Sequence, residues 1–438
     1  MKSGALRVVR NPFFLWAAFI LAHLWLGLLN LYGPGYPMGD VTAVYKFWID
    51  QAVINDFHVG IDSQWVYPIV AIVPMFVAFA FGSTFYASTW LSMVMVLDAI
   101  AFGVLTGWGR KREHITLGWW WVAFLFLLGP IALARIDSVT VPLAMIGVLL
   151  LARHPRVAAL ILTIATWIKV WPAALLAAII ISVHDRLRVL TIAVVTSLGI
   201  IAVALALGSG SNVFSFITQQ TGRGLQVEAP ISTLWLWMTA AHVPNTFVYY
   251  DTAILTYQVD GPGTGVAAAL MTPILLVVVL AVSALGIVAV RRGARVAELL
   301  PSLALALVTA FMVFNKVGSP QFESWLAVPI VLGLATALQG GRSFRTPAIM
   351  ALVIAAITQL IYPYLYNFLL TTNPVMLIAL STRNLLLIVL FGWALAAVVR
   401  LARNATAQFG EPEPERTPTG WPLDPATRDH DVRESQPT

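Results

Sequence analysis

Residues 267–290 read AAALMTPILLVVVLAVSALGIVAV, and Arg291 and Arg292 follow them directly. A run of about 20 apolar residues is long enough to cross the ~30 Å hydrocarbon core of a bilayer. In lipid the backbone must satisfy its own hydrogen bonds, so such a run is either a helix or a strand of a closed barrel. The stretch lacks the alternating pattern of a barrel strand. It therefore predicts a transmembrane α-helix.

Other apolar runs, such as Pro12–Tyr32 and Val189–Leu207, repeat this pattern along the chain. The 438 residues are 59% hydrophobic and 11% charged, whereas soluble domains carry about 25% charged residues. The composition thus predicts an all-α polytopic membrane protein. The first run follows basic residues and lacks a clear cleavage site, which favours a retained helix over a signal peptide.

The chain divides into two parts. Residues 1–403 form the predicted membrane-embedded body, and residues 404–438 form a tail rich in proline and charge. Such a tail has too few apolar residues to fold alone, so we expect it to be disordered and cytoplasmic. The chain has no cysteine, which excludes disulfides and thiolate chemistry.

Basic residues cluster in short loops between the apolar runs, for example at Arg110-Lys111-Arg112. Clustering there indicates positive-inside topology rather than nucleic-acid binding. An even number of crossings must then separate successive clusters, and twelve helices satisfy this condition. They span residues 12–32, 84–108, 115–134, 138–152, 157–168, 172–183, 189–207, 266–290, 299–314, 325–338, 346–361 and 383–402. The apolar stretch Tyr67–Gly82 is then a juxtamembrane or re-entrant helix in the first outer loop.

Only a few basic residues of the membrane body stay outside in this arrangement, against the sorting rule. An anionic ligand is one reason to retain a basic residue there. The residues concerned are Lys46, Arg135, Lys169, Arg223, Lys316 and Arg383.

The first outer loop holds Asp40, which follows Gly39 and begins the helical pattern VTAVYKFWID. Aspartate is among the best residues for a helix N-cap. The same carboxylate at the membrane edge is equally suited to act as a catalytic base. The sequence leaves both interpretations open. Asp50, Asp56 and Asp62 compete with it in the same loop, but their positions are typical of solvated surface charges.

Arg135 and Asp137 occupy the short turn LGPIALARIDSVTVP between two apolar helices. They form either a local ion pair at two helix ends or a polar pair at the roof of a cavity. Ionisable residues at such a depth in a membrane protein favour the second, functional interpretation. Lys169, between Trp167 and Trp171, suits either snorkelling with an aromatic belt or anion binding.

Two further outer segments carry polar residues between apolar runs. They are FNKVGSPQFESWLAVP, with Lys316, Gln321 and Glu323, and TGRGLQVEAPISTLWLW, with Arg223, Gln226 and Glu228. The second segment is alternatively an amphipathic surface loop. Asp98 lies alone inside a predicted helix, so we expect it to pair with another helix and give it no catalytic role. The chain carries no Walker motif and no H-E-x-x-H zinc motif, so no metal site is predicted.

These segments together resemble the GT-C superfamily of polyprenol-phosphate-sugar-dependent glycosyltransferases, and most closely the actinobacterial polyprenyl-phosphate-mannose-dependent α-mannosyltransferases. The resemblance is carried by Gly39-Asp40 with Tyr45, by Tyr67-Pro68, and by the motifs ARIDSVTVPLAMIGVLLLA, ATWIKVWPAALL, GRGLQVEAP and NKVGSPQFESWLAVP. It covers most of residues 12–400 and none of the tail.

The resemblance implies a GT-C-like bundle of about twelve transmembrane helices with juxtamembrane helices in the first outer loop. It implies transfer of a sugar, mannose in the closest members, from a polyprenyl-phosphate donor to a glycolipid or polysaccharide acceptor outside the cell membrane. Asp40 is then the catalytic base. Arg135, Lys169 and Lys316 would hold the donor phosphate. The expected substrate-binding residues are Tyr45, Tyr67, Asp137, Arg223, Gln226, Glu228, Gln321 and Glu323.

This sequence departs from the family after the Ser-Pro turn, where many members have histidines and this chain reads Gln321-Phe322-Glu323. The identities of the sugar and acceptor, and any divalent-metal dependence, therefore stay open. An arabinosyl or other sugar transferase with the same carrier is one alternative. A lipid or sugar transporter is another, for which polar residues should line the membrane midplane.

Overall fold

The computed structural model describes residues 11–219, 222–252 and 254–404. The structure is 75% helical and 4% strand. Apart from Asn404, the predicted tail lies outside the described residues, as do the basic residues before position 11. The helical content agrees with the expected all-α membrane class.

The α-helices of the described residues are numbered here in chain order. They are α1 (Pro12–Tyr32), α2 (Lys46–Asn55), α3 (Ile72–Ala78), α4 (Tyr86–Thr106), α5 (Ile115–Leu128), α6 (Asp137–Leu150), α7 (Pro155–Ile168), α8 (Ala173–Ser182), α9 (Arg186–Ala206), α10 (Ser215–Thr218), α11 (Thr233–Ala240), α12 (Thr264–Arg291), α13 (Val296–Val313), α14 (Ala327–Ala337), α15 (Arg345–Gln359), α16 (Tyr366–Leu370) and α17 (Pro374–Asn404).

Short 3₁₀-helical and π-helical segments extend several of these α-helices. The 3₁₀ segments are Ile69–Ala71, Ser83–Phe85, Arg112–His114, Gly129–Ala132, Gly210–Phe214, Pro230–Ser232 and Pro320–Leu326, and the π-helical segments are Asp40–Tyr45 and Leu360–Tyr364. The predicted helices in the first outer loop are thus present, both after Asp40 and after Tyr67-Pro68.

Eight helices among the described residues are long and apolar enough to cross a membrane. They are Pro12–Tyr32, Ser83–Thr106, Arg112–Ala132, Arg186–Ala206, Thr264–Arg291, Val296–Val313, Arg345–Tyr364 and Pro374–Arg403. The predicted count of about twelve crossings is not confirmed. The other predicted crossings are helical but shorter, because α6, α7 and α8 have 14, 14 and 10 residues and α14 has 11.

Helix α13 forms the centre of the bundle. It packs against α8, α12, α14 and α17, and almost all of its side chains are buried. In contrast, α9 and α12 expose large apolar side chains such as Val195, Leu198, Leu276 and Val277. Each of these two helices therefore presents an apolar surface of the kind that lipid covers.

One strand-containing unit was not predicted from the sequence. Within the described residues, strands β1 (Leu225–Gln226), β2 (Phe247–Asp251) and β3 (Thr256–Asp260) form an antiparallel sheet in the order β1-β3-β2. Tyr250 pairs with Tyr257 in the β2–β3 hairpin, and Gln226 pairs with Gln258 on the other side of β3. The expected surface loop is thus partly a small sheet.

The last helix also differs from its prediction. The apolar pattern predicts that this helix begins at Arg383, whereas α17 begins at Pro374. The additional turns carry mostly apolar side chains, and Leu377 and Leu380 are buried. Arg383 therefore lies inside α17 rather than at its beginning, and its side chain is buried.

Candidate functional site

Asp40 contacts Arg135 rather than the helix that it begins. Gly39 occupies the N-cap position of the π-helical segment, so the N-cap interpretation of Asp40 was wrong. One Asp40 carboxylate oxygen lies 2.9 Å from Arg135 Nε, and the Asp40 side chain is 39% exposed. This contact leaves a half-exposed carboxylate held from one side by a buried guanidinium.

Arg135 is fixed by the turn in which it lies and by two distant segments. Its Nη1 donates to the carbonyl oxygens of Pro37 and Ala134, and its Nη2 donates to the Tyr362 hydroxyl. Burial opposes the charged form, but the Asp40 carboxylate and neighbouring tyrosines raise the Arg135 pKa above its ordinary value. Arg135 is therefore a fixed cation whose principal charge partner is Asp40.

Tyr45 and Tyr67 connect this pair to the next group of residues. Their hydroxyl oxygens lie 3.4 Å apart, and the Ile136 N–H donates to the Tyr45 hydroxyl at 3.3 Å. The Tyr45 pKa is well above its ordinary value, first because of burial and then because of Tyr67 and Asp40. Tyr45 thus stays protonated and its hydroxyl serves as a neutral hydrogen-bonding group.

Lys169 pairs with Asp137, at 3.6 Å between Nζ and Oδ2. The Trp325 indole N–H donates to the other Asp137 oxygen at 2.7 Å. Lys169 Nζ also lies 4.8 Å from the ring centroid of Tyr67 and 5.5 Å from that of Phe322. The predicted alternative of an ion pair between Arg135 and Asp137 was therefore wrong, because each has a different partner.

The tryptophans beside Lys169 are also internal. Trp171 is 1% exposed, stacks on Trp325 and donates to Thr140. Trp167 is buried and donates to Ser197. A membrane-surface aromatic belt therefore does not account for them.

Arg223 and Lys316 bring two positive charges together. Burial lowers the pKa of Lys316, and the Arg223 charge lowers it further. Burial also lowers the Arg223 pKa, although Tyr67 and Asp251 act in the opposite direction. Arg223 Nε is buried without a hydrogen-bond partner among the described residues. Like charges held together in this way are stabilised when an anion binds between them.

The backbone around Lys316 joins two predicted segments. The Gln226 N–H donates to the Lys316 carbonyl at 3.0 Å, and the Ser319 hydroxyl donates to the Gln226 side-chain oxygen at 3.4 Å. A Cβ on Gly318 would lie 2.3 Å from the Ala229 nitrogen, so only glycine allows this approach. Two segments 90 residues apart thus form one wall.

Glu228 and Glu323 share a buried arginine. Arg383 Nη1 donates to Glu228 Oε2 at 2.7 Å, and Arg383 Nη2 donates to the Glu228 carbonyl oxygen at 2.7 Å. Glu323 Oε1 lies 3.8 Å from Arg383 Nε. Both carboxylates are about 2% exposed. These two predicted substrate-binding residues therefore face a buried cation instead of an open surface.

This cluster has one positive and two acidic groups. Burial raises the pKa of Glu228, and Arg383 opposes that rise. Burial raises the pKa of Glu323 to about 7, against the effect of Arg383 and with a contribution from Glu228. Glu323 Oε2 has no hydrogen-bond partner among the described residues. Glu323 thus changes protonation near neutral pH. Gln321, the remaining predicted residue in this segment, is 8% exposed.

The predicted residues therefore belong to one neighbourhood, linked through Tyr67, Arg135 and Lys169, and the competing aspartates do not. Asp50 pairs with Lys46 at 2.7 Å, and this ion pair explains why a lysine is retained at that position without an anionic ligand. Asp62 accepts from the His58 N–H at 2.6 Å in a surface turn. Asp98 pairs with His23 on α1 at 3.0 Å, which confirms that Asp98 joins two helices.

Sequence reasoning missed several residues of this neighbourhood. Tyr362 contacts Arg135, and Tyr366 hydrogen-bonds Glu228. The sequence signal was the tyrosine-rich stretch IYPYLYNF, residues 361–368, which follows the eleventh predicted helix. Arg383 was noted as an outer cation, but its carboxylate partners were not predicted.

In the described parts of the chain, no group of three or more His, Asp or Glu side chains is placed to hold a metal ion. Comparison of the chain with protein-family models, curated proteins and solved structures finds no match.

Proposed function

We propose that the protein is a membrane glycosyltransferase that moves a sugar from a polyprenyl-phosphate donor to a hydroxyl of a glycolipid or glycan acceptor. One observation carries this proposal. A half-exposed carboxylate, Asp40, is held by a buried arginine, and a separate pair of cations, Arg223 and Lys316, is linked to it through Tyr67 and Tyr45. Sugar transfer from a lipid phosphate needs one group of each kind.

Asp40 acts as the general base. The acceptor oxygen attacks the anomeric carbon of the donor sugar while its proton passes to an Asp40 carboxylate oxygen. The bond between the anomeric carbon and the phosphate oxygen breaks, and polyprenyl phosphate leaves with that electron pair. Proton transfer by such a residue contributes about 10²- to 10⁴-fold to the rate. Arg135 orients Asp40 and has most of its donors engaged by the protein.

Cations stabilise the phosphate as it leaves. Lys316 and Arg223 suit this role, since their mutual repulsion decreases when an anion binds. Lys169 lies on the other side of Tyr67, and its charge is partly met by Asp137. The proposal therefore adds Arg223 to the predicted phosphate-binding residues. Arg135 is given the role of orienting Asp40 instead of binding the phosphate.

The proposed topology has twelve crossings and places the site on the extracytoplasmic side of the cell membrane. It combines the eight long helices with α6, α7, α8 and α14. The shorter members pack within the bundle, and α6 is almost entirely buried. A short helix shielded by other helices needs less contact with the full hydrocarbon thickness.

Mannose is the proposed sugar, on the likeness of the motifs. The deciding experiment incubates the purified full-length protein with polyprenyl-phosphate mannose or polyprenyl-phosphate arabinose and a glycolipid acceptor fraction. Transfer of labelled mannose together with release of polyprenyl phosphate is expected. Transfer of arabinose alone would assign the protein to a different donor, and no turnover of either donor would contradict the proposal.

A transporter is the second candidate, and the His23–Asp98 pair favours it. This pair lies inside the helical bundle between α1 and α4, with side chains at most 4% exposed. Buried ionisable pairs of this kind are used in proton relays. Uptake of labelled lipid-linked sugar into proteoliposomes, lost in Asp98→Asn but kept in Asp40→Asn, would favour transport over transfer.

A further inference from the structure

Four tyrosines form a continuous series of ring contacts that ends at the Asp40–Arg135 pair. The ring centroids of Tyr250 and Tyr257 lie 4.9 Å apart, those of Tyr257 and Tyr366 6.1 Å, and those of Tyr366 and Tyr362 5.2 Å. The guanidinium carbon of Arg135 lies 5.8 Å from the Tyr362 ring centroid. These four residues are called the tyrosine track below.

The track has an accessible end in the β2–β3 hairpin. Tyr250 is 45% exposed and Tyr257 is 37% exposed. They are a directly opposed cross-strand pair, so their side chains lie on the same face of the hairpin. Burial, Tyr257 and the Asp40 charge all raise the Tyr250 pKa. Tyr250 therefore lies within electrostatic range of Asp40, and the ring contacts make the track continuous with the site.

The charges beside the track are already matched. Arg135 pairs with Asp40, and Arg383 pairs with Glu228. The Tyr366 hydroxyl hydrogen-bonds Glu228. Arg223 interacts with Tyr67 and with the carboxylate of Asp251, the residue after Tyr250. A track bordered by carboxylates and matched arginines suits an uncharged ligand better than a phosphate or an anionic headgroup.

Tyrosine rings offer an apolar face and a hydroxyl at the edge. A sugar ring has the complementary form, with C–H groups on its faces and hydroxyls around its rim. Carboxylates such as Asp40 accept hydrogen bonds from those hydroxyls. A sugar lying on the exposed rings would thus be positioned beside the carboxylate that takes the acceptor proton.

We propose that the tyrosine track binds a sugar ring of the acceptor glycan and presents its hydroxyl to Asp40. This inference rests on the proposed function, and it names the acceptor subsite of the same site. Phe247 provides a matched control, since it is 48% exposed on the same strand but an odd number of residues from Tyr250, which places it on the opposite face.

The experiment measures binding and transfer separately with the full-length protein in nanodiscs. Saturation-transfer NMR follows α-mannobiose binding, and a steady-state assay uses polyprenyl-phosphate mannose with α-mannobiose as acceptor. Tyr250→Ala and Tyr257→Ala should each raise the dissociation constant and the acceptor KM about 3- to 10-fold. Tyr250→Phe and Phe247→Ala should stay near wild type, and donor KM should not change in any variant.

The outcomes separate the two proposals. Mannobiose that binds through Tyr250 but is never glycosylated would uphold the track and contradict the proposed function. Transfer with an unchanged acceptor KM in both alanine variants would overturn the track and leave the function intact. An equal effect of Phe247→Ala, or loss of donor binding in Tyr250→Ala, would show that the hairpin is a membrane-surface or structural element and overturn the track. Absence of mannobiose binding by the wild-type protein would also overturn it.

Discussion

Asp40→Asn tests the catalytic assignment most directly, because it separates the chemistry from the folding. Asparagine keeps an oxygen that can accept from Arg135 Nε but cannot take a proton from the acceptor. Loss of a general base slows a reaction by about 10²- to 10⁴-fold, which corresponds to about 3–5 kcal/mol of activation free energy. We expect kcat for sugar transfer to fall within that range.

The effect of Asp40→Asn on stability should be much smaller. Arg135 is buried, but the Asp40 side chain is 39% exposed, so solvent screens the pair, and the asparagine oxygen still accepts from Arg135 Nε; we expect a loss of about 1 kcal/mol. Arg135 keeps its hydrogen bonds to Pro37, Ala134 and Tyr362 in the variant. The assay therefore compares kcat, donor binding and melting temperature in one detergent. A large loss of kcat with nearly unchanged donor binding and melting temperature is the expected result.

Asp50→Asn is the matched control for Asp40→Asn. Asp50 lies in the same loop and also pairs with a cation, Lys46, with its side chain 25% exposed. The same charge is removed, so a general effect of loop charge would appear in both variants. Near-normal turnover in Asp40→Asn, with Asp50→Asn inactive, would refute the assignment and move the base along the loop.

Three further predictions concern the cation pair, Glu323 and topology. Arg223→Gln and Lys316→Gln should each raise donor KM about 10- to 100-fold through loss of a charge-assisted contact, whereas Lys46→Gln should not; unchanged donor kinetics would exclude the pair from phosphate binding. Burial raises the Glu323 pKa to about 7 from an ordinary 4.5. Between pH 4.5 and about 7 the folded state keeps a proton that the unfolded state has lost, so the free energy of unfolding should fall as pH rises. Glu323→Gln should flatten that part of a melting-temperature profile, and an unchanged slope would contradict the shift. Accessibility tags should report cytoplasm at 111, 187, 293, 343 and 420, and the outside near 55, 240 and 370; a cytoplasmic signal at 55 or 240 would divide the proposed site across the membrane.

The helices were predictable because lipid offers the backbone no hydrogen-bond partners, so an apolar run that crosses it must be helical unless it belongs to a barrel. Each apolar run predicted as a helix coincides with helical structure, from α1 near the beginning to α17 near the end. Length alone was less informative for α6, α7 and α8. These helices have the apolar composition of crossings but fewer residues than a bilayer requires. Packing against other helices, which no single segment encodes, decides how such helices are accommodated.

The β2–β3 hairpin was not predicted because its sequence, FVYYDTAILTYQVD, contains the aromatic and β-branched residues of a strand but lies in a loop that was interpreted only for charge. Its strand character depends on pairing. The Val227 N–H donates to the Tyr257 carbonyl oxygen, so the hairpin docks on the segment that carries Glu228. That contact joins residues 30 positions apart.

The ion pairs of the site were hard to predict for the same reason. The residues were identified by their presence on the outer side, yet Arg135 pairs with Asp40 rather than with its neighbour Asp137. A buried cation must find a carboxylate wherever the fold places one, because an unpaired buried charge is strongly destabilising. Sequence position constrains that choice very little when short loops from several helices converge.

Charge matching across the site separates the cations into two groups, and this separation has a functional consequence. Arg135 and Arg383 each contact a carboxylate at hydrogen-bonding distance, so they fix the positions of acidic side chains and have little charge left for a ligand. Burial lowers the Lys316 pKa, and the nearby Arg223 charge lowers it further. A phosphate that binds there therefore gains from relieving the repulsion. Arg135 contacts Tyr362 of the tyrosine track, whereas Arg223 is linked to Asp40 through Tyr67 and Tyr45. We therefore expect different side chains to hold the two substrates, with Arg223 and Lys316 binding the donor phosphate and the tyrosines binding the acceptor sugar.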